Sequence, residues 1–452
     1  MGLALQKYDV DNVGEIVVIG LGETGLSVAQ HLSKQNIAFS MFDTRLSPPQ
    51  LSIFKQHFPG ATIHLGEFVP GAFTQATQVI VSPGIDISHD VIREAVAADG
   101  CECIGDIELF SRSTTKPIVA ITGSNGKSTV TSLLTEMAKL ANVSAYAGGN
   151  LGPPALDLLN HDDAELFVLE LSSFQLESTQ SLQADVSVVL NISPDHLDRH
   201  GDVDSYAQIK EHIYSNAKVS VINRDDEYVS RMQTSGGVVS FGLGQPAEGE
   251  FGVINENKCS FLALGEERLL SVSELALKGE SGVLNSLAAL AIGYALKLPM
   301  QKMLSKLKNF ESLPHRLALV AEKNGVYWVN DSKGTNIGAT ISSLRSLNKN
   351  IILIAGGVLK GGNLTLLKET VAKHAKHVIL LGQDANILQR ELEGAVPLDL
   401  VKSMSEAVEL AHKNAIAGDQ VLLSPACASF DMYKNYIERG HDYENCVQGL
   451  LL

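Results

Sequence analysis

The sequence feature that most constrains this chain is a glycine-rich loop between an apolar run and an amphipathic segment. The loop has the sequence Thr-Gly-Ser-Asn-Gly-Lys-Ser-Thr over residues 122–129 and follows the apolar run 118–121. Beyond it, apolar residues recur at helical spacing from Val130 to Ala141. Strand, loop and helix in this order are what a phosphate-binding loop requires, because small residues let backbone N–H groups approach phosphate oxygens at a helix N-terminus.

Two side chains give this loop its expected chemistry. Lys127 would reach the terminal phosphates of a nucleotide, and the hydroxyl of Ser128 would bind Mg²⁺. The loop is shorter than the common G-x-x-x-x-G-K-[ST] form, since Ile121 occupies the place of its first glycine. A glycine-rich turn with an incidental lysine is the alternative. The complete strand–loop–helix context favours a nucleotide phosphate site.

Bulk properties narrow the class of protein. A length of 452 residues suggests two to four domains, and a hydrophobic content of 45% supports large cores. The net charge of −16 and the lack of basic–aromatic interleaving argue against nucleic-acid binding. No apolar run has the length of a membrane span, and five cysteines without a C-x-x-C pair fit a reducing compartment. The sequence therefore predicts a cytoplasmic globular protein with no membrane partner.

A second glycine-rich loop follows the first predicted strand, residues 15–19. Residues 20–25 satisfy G-x-G-x-x-G, and Asp43 ends the next apolar stretch at the distance from Gly22 that dinucleotide folds use. These features alone leave open an NAD(P)-dependent dehydrogenase with Asp43 on a ribose. Because no complete second nucleotide-binding half follows, we place a domain boundary near residue 105.

Polar residues stand at the ends of two predicted strands in the central segment. Glu170 ends the apolar run 165–170, a position from which a carboxylate reaches the metal in nucleotide-hydrolysing folds. Asp195 and His196 follow the run 186–190 and are candidates for a metal ligand or an acid–base group. An Asp-His pair alone is also compatible with a purely structural role.

Lys210 has two interpretations. Residues 205–217 are predicted to form a helix on which Lys210 shares a face with Tyr206, Ile213 and Tyr214. The residues alone favour a lysine whose stem packs on apolar neighbours while its ammonium reaches water. The alternative is a partly buried lysine whose pKa falls far enough for covalent chemistry.

Residues 231–275 are predicted to form additional antiparallel strands. From about residue 313, apolar runs typical of strands alternate with segments of helical periodicity. Strands are predicted at residues 326–330, 351–355, 377–381 and 421–424. The alternation indicates βα units around a parallel sheet. Cations and hydroxyls occupy the adjoining loops at residues 315–316, 331–336, 356–362 and 424–429. Since ligands of such sheets bind at the carboxyl ends of the strands, this pattern indicates a site for an anionic ligand.

Together these motifs resemble the Mur ligase family over essentially the whole chain. The motifs that carry the resemblance are residues 20–25, 43–45, 82–84, 122–129, 149–150, 170–175, 195–196, 315–316, 330–336 and 424–429. The resemblance implies an α/β fold of three domains. These are a Rossmann-like N-terminal domain for a UDP-sugar acceptor (residues 1–105), a central P-loop ATPase-like domain for ATP (residues 106–312) and a Rossmann-like C-terminal domain for the incoming amino acid (residues 313–452).

Thr44-Arg45-x-x-Pro-Pro and Ser-Pro-Ala-Cys-Ala-Ser look like the branch of the family that adds D-glutamate. The resemblance then implies ATP-dependent ligation of D-glutamate to UDP-N-acetylmuramoyl-L-alanine through an acyl phosphate, in peptidoglycan precursor biosynthesis. It also implies two Mg²⁺ sites, a carbamylated lysine and a monomeric protein.

The resemblance assigns roles to residues that match the family motifs. ATP would be bound by Gly123, Ser124, Asn125, Gly126, Lys127, Ser128, Thr129, Asn285, Arg316 and Asp331. The metal ions would be bound by Ser128, Glu170, His196 and, once carbamylated, Lys210. The UDP-linked acceptor would be bound by Gly22, Glu23, Thr24, Thr44, Arg45, Gly84 and Asn150. D-Glutamate would be bound by Lys333, Thr335, Lys360, Ser429 and Tyr436, the last in a region where close relatives place phenylalanine. Lys127, His196 and Lys210 would be the catalytic residues.

Overall fold

The chain forms three sheets in succession, in a computed structural model that describes residues 15–97, 100–311, 313–347 and 349–451. The first fourteen residues of the predicted N-terminal domain lie outside this range. In the first sheet all five strands are parallel, in the order β3-β2-β1-β4-β5. Its elements are β1 (Ile16–Ile19), α1 (Glu23–Lys34), β2 (Ser40–Asp43), α2 (Leu51–His57), β3 (Thr62–Leu65), β4 (Gln78–Val81), α3 (Asp90–Ala97), β5 (Glu102–Gly105) and α4 (Asp106–Arg112).

The second sheet has nine described strands in the order β14-β13-β12-β11-β10-β9-β6-β8-β7. Its strands are β6 (Ile118–Thr122), β7 (Ala145–Gly149), β8 (Leu166–Glu170), β9 (Val186–Val189), β10 (Val219–Asn223), β11 (Gly237–Phe241), β12 (Phe251–Glu256), β13 (Cys259–Leu264) and β14 (Glu267–Ser271). Its helices are α5 (Lys127–Leu140), α6 (Ser173–Glu177), α7 (Leu197–His200), α8 (Val203–Glu211), α9 (Gly279–Ala295) and α10 (Met300–Lys308), with 3₁₀ turns at Ala155–Asn160, His212–Tyr214, Val229–Arg231 and Val272–Glu274.

The third sheet has six described strands in the order β15-β16-β20-β17-β18-β19. Its elements are β15 (Ala318–Lys323), β16 (Val326–Asn330), α11 (Ile337–Leu347), β17 (Ile351–Gly356), α12 (Leu364–His374), β18 (Ala375–Leu381), α13 (Ala385–Leu392), β19 (Leu398–Leu400), α14 (Met404–Asn414), β20 (Gln420–Leu423) and α15 (Tyr436–Leu451). Only β15 runs antiparallel to its neighbour among these strands.

These sheets confirm the predicted three-domain α/β fold. β6, β8 and β9 are buried along their whole length and have mostly apolar sequences, as is typical of parallel strands with helices on both faces of the sheet. The predicted antiparallel addition in residues 231–275 is partly wrong. β11 is parallel to β10, and only β12, β13 and β14 form an antiparallel meander. Among the described residues, no helix combines the length and the apolar character needed to cross a lipid bilayer.

Glycines shape the first loop for two different reasons. A Cβ added to Gly25 would overlap the carbonyl oxygen of Gly20, whereas a Cβ added to Gly22 meets no atom within 4 Å. Gly22 also has an ordinary φ of −95° at the N-cap of α1. The backbone of Gly25 therefore packs against the protein, while that of Gly22 faces open space.

Replacing Gly25 by alanine should therefore destabilise the N-terminal domain, and replacing Gly22 should not. We expect Gly25→Ala to cost about 1–3 kcal/mol of unfolding free energy, because the overlapping atom is backbone that cannot rotate away. Gly22→Ala should cost less than about 1 kcal/mol. Thermal unfolding followed by circular dichroism measures both, and equal losses would contradict this account of the loop.

Candidate active site

A cleft of about 420 Å³ lies where the carboxyl ends of the second and third sheets face each other. Predicted site residues that line it are Ser124, Asn125, Gly126, Lys127, Ser128, Thr129, Asn150, Glu170, His196, Asn285, Arg316, Asp331, Lys333, Thr335 and Lys360. The structure thus brings together most of the residues predicted for ATP, metal and glutamate, although they come from two domains.

The phosphate-binding loop joins the buried strand β6 to the N-terminus of α5. Gly126 has a left-handed φ of +87°, and an added Cβ would lie 2.5 Å from the side-chain oxygen of Asn285. The loop is fixed from outside because Asn125 N–H donates to the side-chain oxygen of Asn191 at 2.8 Å. The Lys127 ammonium folds back and donates to the carbonyls of Gly123 and Ser124 at 2.7 and 3.0 Å. The loop and its lysine therefore form one end of the cleft.

Glu170, at the end of β8, fits a metal ligand. Its side chain is buried, and Oε1 accepts a hydrogen bond from the Asn150 amide at 2.7 Å. Oε2 is buried with no hydrogen-bond partner among the described residues. An orphaned carboxylate oxygen is costly unless a cation satisfies it. Together with the hydroxyl of Ser128 in the same cleft, it offers the hard oxygen donors that Mg²⁺ prefers.

Asp195 and His196 follow β9 and also line the cleft. Asp195 is buried; its Oδ2 accepts from the Asn336 amide at 3.0 Å, and its Oδ1 is 3.7 Å from Lys360 Nζ. Burial raises the pKa of Asp195, but the charges of Lys360 and His196 outweigh it, so the pKa is lowered overall. His196 has a left-handed φ of +54°, and its ring packs edge-on against Phe174 at 4.9 Å. An anion thus faces cations from both domains here.

Lys210 is fully buried beneath the phosphate-binding loop. Its ammonium donates to the Thr122 hydroxyl at 3.0 Å and lies 4.7 Å from the centre of the Tyr206 ring. Burial, and next the charge of Lys127, lower the pKa of Lys210 well below its usual value. The interpretation that this ammonium reaches water is therefore wrong, since the side chain is only 1% exposed. Instead, the site holds a lysine that favours the neutral amine.

The C-terminal domain contacts the phosphate-binding loop directly. Arg316 donates to the Ser128 hydroxyl at 2.9 Å. Behind it, Asp331 accepts from Ser343 at 2.7 Å and from Ser424 at 2.8 Å. Burial raises the pKa of Asp331 to about 6. The guanidinium of one domain thus reaches the nucleotide loop of the other.

Lys333 occupies the cationic part of the cleft and packs on Tyr436. Its Nζ donates to the Tyr436 hydroxyl at 3.0 Å and lies 4.2 Å from the centre of that ring. Burial, and next the charge of Arg316, lower the pKa of Lys333 to about 8. Tyr436 itself does not line the cleft, and Ser429 lies buried in a small neighbouring cavity beside Gly356. Of the predicted glutamate set, Lys333, Thr335 and Lys360 face the cleft.

Arg439 of α15 is a site residue that sequence reasoning missed. Its buried guanidinium donates to the carbonyl of Cys427 at 3.0 Å, and to the carbonyl and the hydroxyl of Ser332 at 2.9 and 3.1 Å. It therefore ties together the loops that follow β16 and β20. An arginine on an amphipathic helix gives no sequence signal of this role, because most such side chains are exposed.

The residues predicted for the UDP-linked acceptor, apart from Asn150, lie at the carboxyl ends of β1, β2 and β4. In this region Asp43 is buried, and its oxygens accept from Leu21 N–H at 2.7 Å and from Arg45 Nε and Nη2 at 2.8 and 2.6 Å. A carboxylate so fully engaged has little capacity left for a ribose hydroxyl. The alternative of an NAD(P)-dependent dehydrogenase required Asp43 to bind a ribose, and the structure does not favour that role. Gly22 and Gly84, in contrast, face open space.

The fold and the cleft define a class: a protein of three α/β domains in which a phosphate-binding loop faces another domain across a cleft. Family models match along the chain, as "Mur ligase MurD-like, N-terminal domain" at residues 14–105, "Mur ligase middle domain" at residues 121–293 and "Mur ligase, glutamate ligase domain" at residues 315–427. The chain belongs to the Mur ligase family, an ATP-dependent family that forms amide bonds.

Curated relatives agree over nearly the whole chain. A UDP-N-acetylmuramoylalanine–D-glutamate ligase from Nitrosococcus oceani is 47% identical over 438 residues, which are 96% of each chain. The enzyme of the same name from Legionella pneumophila is 43% identical and covers 96% of this chain and 99% of its own.

Solved structures show the same fold at low identity. A UDP-N-acetylmuramate–alanine ligase from Thermotoga maritima has a TM-score of 0.61 at 18% identity, over 96% of this chain and 99% of its own. A folylpolyglutamate synthase from Mycobacterium tuberculosis has a TM-score of 0.57 at 15% identity, over 76% of this chain and 92% of its own.

Proposed function

We propose that this chain joins D-glutamate to UDP-N-acetylmuramoyl-L-alanine with conversion of ATP to ADP and phosphate, a step of peptidoglycan precursor synthesis. The observation that carries the proposal is the cleft itself. A phosphate-binding loop faces a group of cations from another domain, and Arg316 spans the two by its 2.9 Å bond to Ser128. The names of the most similar relatives supply the acceptor and the amino acid.

The chemistry explains why one cleft combines these groups. A carboxylate is a poor electrophile, because its leaving group would be oxide. Transfer of the γ-phosphoryl group of ATP to the acceptor carboxylate gives an acyl phosphate and ADP. Attack by the neutral amine of glutamate then forms the C–N bond, expels phosphate and releases a proton. Both steps depend on in-line positioning and on charge neutralisation.

Lys127 and the backbone of its loop would hold the β- and γ-phosphates. Ser128 and Glu170 would hold one Mg²⁺, which neutralises phosphate charge during transfer. Asn285, from beside the loop, and Arg316 and Asp331, from the C-terminal domain, would contact the nucleotide. Support comes from the unpartnered Oε2 of Glu170 and from the position of all these residues on one cleft.

A second Mg²⁺ would be held by His196 and by Lys210 after carbamylation. The neutral amine of Lys210 adds to CO₂, forming an N–C bond and losing a proton, and so becomes an anionic oxygen ligand. Its complete burial beside Thr122 supports this proposal, because burial favours the neutral amine that the reaction needs.

The acceptor would bind along the first loop, with its uridine diphosphate at Gly22, Glu23 and Thr24 and further contacts from Thr44, Arg45 and Gly84. The space that a Cβ would take at Gly22 and at Gly84 is open, which allows close approach of a phosphate on that side. Gly22→Ala should therefore raise the KM for the acceptor while leaving the melting temperature nearly unchanged. Asn150 would contact the reacting carboxylate, since it bonds to Glu170 in the cleft.

D-Glutamate would be held by Lys333, Thr335, Lys360, Ser429 and Tyr436. Two buried or half-buried cations suit a substrate with two carboxylates. The Tyr436 hydroxyl fixes Lys333 by the 3.0 Å bond, and the ring lies against the same ammonium.

Tyr436→Phe should weaken glutamate binding without stopping the reaction. Loss of the hydroxyl frees Lys333, and we expect the KM for D-glutamate to rise about 3- to 10-fold, the scale of one ordinary hydrogen bond. The KM for ATP and kcat should change little. Tyr433→Phe is the matched control, because its hydroxyl bonds to Asp442 instead. Equal effects of the two changes would contradict the assignment.

Phosphate release tests the proposed reaction. It should require ATP, Mg²⁺, UDP-N-acetylmuramoyl-L-alanine and D-glutamate together, with the product mass showing one added glutamyl group. Equal release with L-glutamate would exclude the proposal. Equal release with a UDP-N-acetylmuramoyl tripeptide or a folate as acceptor would assign the chain to another member of the family.

A further inference from the structure

A second group of metal-ligating side chains lies outside the cleft, between the segment before β15 and helix α15. His315, His441 and Glu444 each place a ring nitrogen or carboxylate oxygen within 4.8 Å of the other two. His315 Nδ1 is 3.5 Å from Glu444 Oε1, and His441 Nδ1 is 3.2 Å from Glu444 Oε2. Ligands about 2.0–2.2 Å from a tetrahedral zinc ion lie about 3.3–3.6 Å apart. The two histidine–carboxylate distances are close to this spacing, and the two histidine nitrogens lie within 4.8 Å of each other.

This group contains more hydrogen-bond acceptors than donors. The Asn330 amide nitrogen is 2.9 Å from His315 Nδ1, 2.7 Å from Glu444 Oε1 and 3.2 Å from the Gly440 carbonyl. One amide has two hydrogens for these three acceptors. The second carboxylate oxygen lies 3.2 Å from His441 Nδ1, which donates to it in one tautomer, so the shortage of hydrogens is at the Asn330 amide. A half-buried set of surplus lone pairs is stabilised by a cation placed among them.

The conformation and surroundings of His315 favour its use as a metal ligand. Its side chain is only 5% exposed, and its φ of +60° turns the ring towards α15. A Cβ on Gly440 would overlap that ring, so the glycine leaves the space that the ring fills. His441 and Glu444 are 61% and 28% exposed, which leaves a path from solvent to the group.

We propose that His315, His441 and Glu444 form a binding site for a divalent transition-metal ion of the zinc class. Two imidazoles and one carboxylate suit Zn²⁺ or Co²⁺, whereas Mg²⁺ favours sites in which most of the ligands are oxygens. None of the three residues lines the cleft, so the site is separate from the magnesium sites proposed there. His315 directly precedes Arg316, whose guanidinium donates to Ser128 of the nucleotide loop. The ion would therefore be bound next to the residue that connects the two domains.

Cobalt absorption in the full-length protein tests the site. Excess Mg²⁺ is added to occupy the magnesium sites proposed in the cleft. Under this condition we expect one Co²⁺ per chain and the visible absorption of a four-coordinate ion. His441→Ala should weaken Co²⁺ binding by at least about tenfold, since even loss of a residue that merely orients a ligand costs this much. His441 is exposed, so the change should leave the melting temperature unaltered. His57→Ala, at another exposed histidine, should bind Co²⁺ as the unaltered protein does.

Glu444→Gln provides a second check, because it keeps the size of the side chain and removes its charge. It should also weaken Co²⁺ binding by at least about tenfold. The proposal is overturned if no Co²⁺ is retained in excess Mg²⁺, or if His441→Ala binds it as tightly as the His57→Ala protein.

Discussion

Lys210→Ala should reduce kcat by at least about 10²-fold, the scale on which enzymes lose rate when one group that stabilises transition-state charge is removed. The physical reason is that Lys210, once carbamylated, would supply an oxygen ligand to the second Mg²⁺, and alanine has none. Added acetate or propionate should restore part of the activity by occupying the vacated volume as a free carboxylate. Steady-state rates with and without the added acid measure both effects.

A direct signal of the carbamate separates this role from a structural one. In ¹³C-labelled bicarbonate, the unaltered protein should show a carbamate resonance that Lys210→Ala lacks. Lys218→Ala is the matched control, because that lysine is exposed and pairs with Asp185 on the surface. No carbamate signal and no rescue by short carboxylates would leave Lys210 as a buried structural amine.

Glu170→Gln should lower kcat by about 10²-fold or more while leaving the protein at least as stable. The change keeps the shape of the side chain and an oxygen for the Asn150 amide, but it removes the charge that would bind Mg²⁺. One carboxylate oxygen of Glu170 is buried without a hydrogen-bond partner in the described part of the chain, so the buried charge raises the free energy of the folded protein. Removing the charge removes this desolvation penalty. Activity across a Mg²⁺ titration and thermal unfolding without nucleotide give the two measurements.

Glu165→Gln is the control for this prediction. Glu165 comes just before the same strand, is exposed and accepts from Ser144 N–H at 2.8 Å. It should keep full activity and the same dependence on Mg²⁺. If Glu170→Gln lowers stability and leaves kcat unchanged, Glu170 is a structural carboxylate and the proposed metal site is wrong.

Much of the site follows from local sequence. Strand, short glycine-rich loop and helix at residues 118–141 predicted the position of Lys127, and an apolar run ending in a carboxylate predicted that of Glu170. The carboxyl ends of parallel strands meet at one edge of a sheet, so residues far apart in the chain are brought together by topology. The strand order itself, and the parallel pairing of β11, were not evident from the sequence.

Other features depended on contacts between distant residues. Lys210 and Thr122 are 88 residues apart, and only their packing shows that the ammonium is buried instead of solvated. Asp43 has the spacing of a ribose-binding carboxylate, but bonds from Leu21 and Arg45 engage it within the protein. Local patterns do not report burial or partners of this kind.

Local periodicity and the steric needs of glycine determined the nucleotide loop, the βα units from about residue 313 and the polar residues at strand ends, while the division into three domains followed from the resemblance to the Mur ligases. The tertiary structure alone decided which charges are buried, which are paired, and that Arg316 of one domain meets Ser128 of another. The reason is physical: desolvation and ion pairing depend on the atoms that surround a group, and those atoms come from segments that only folding brings together.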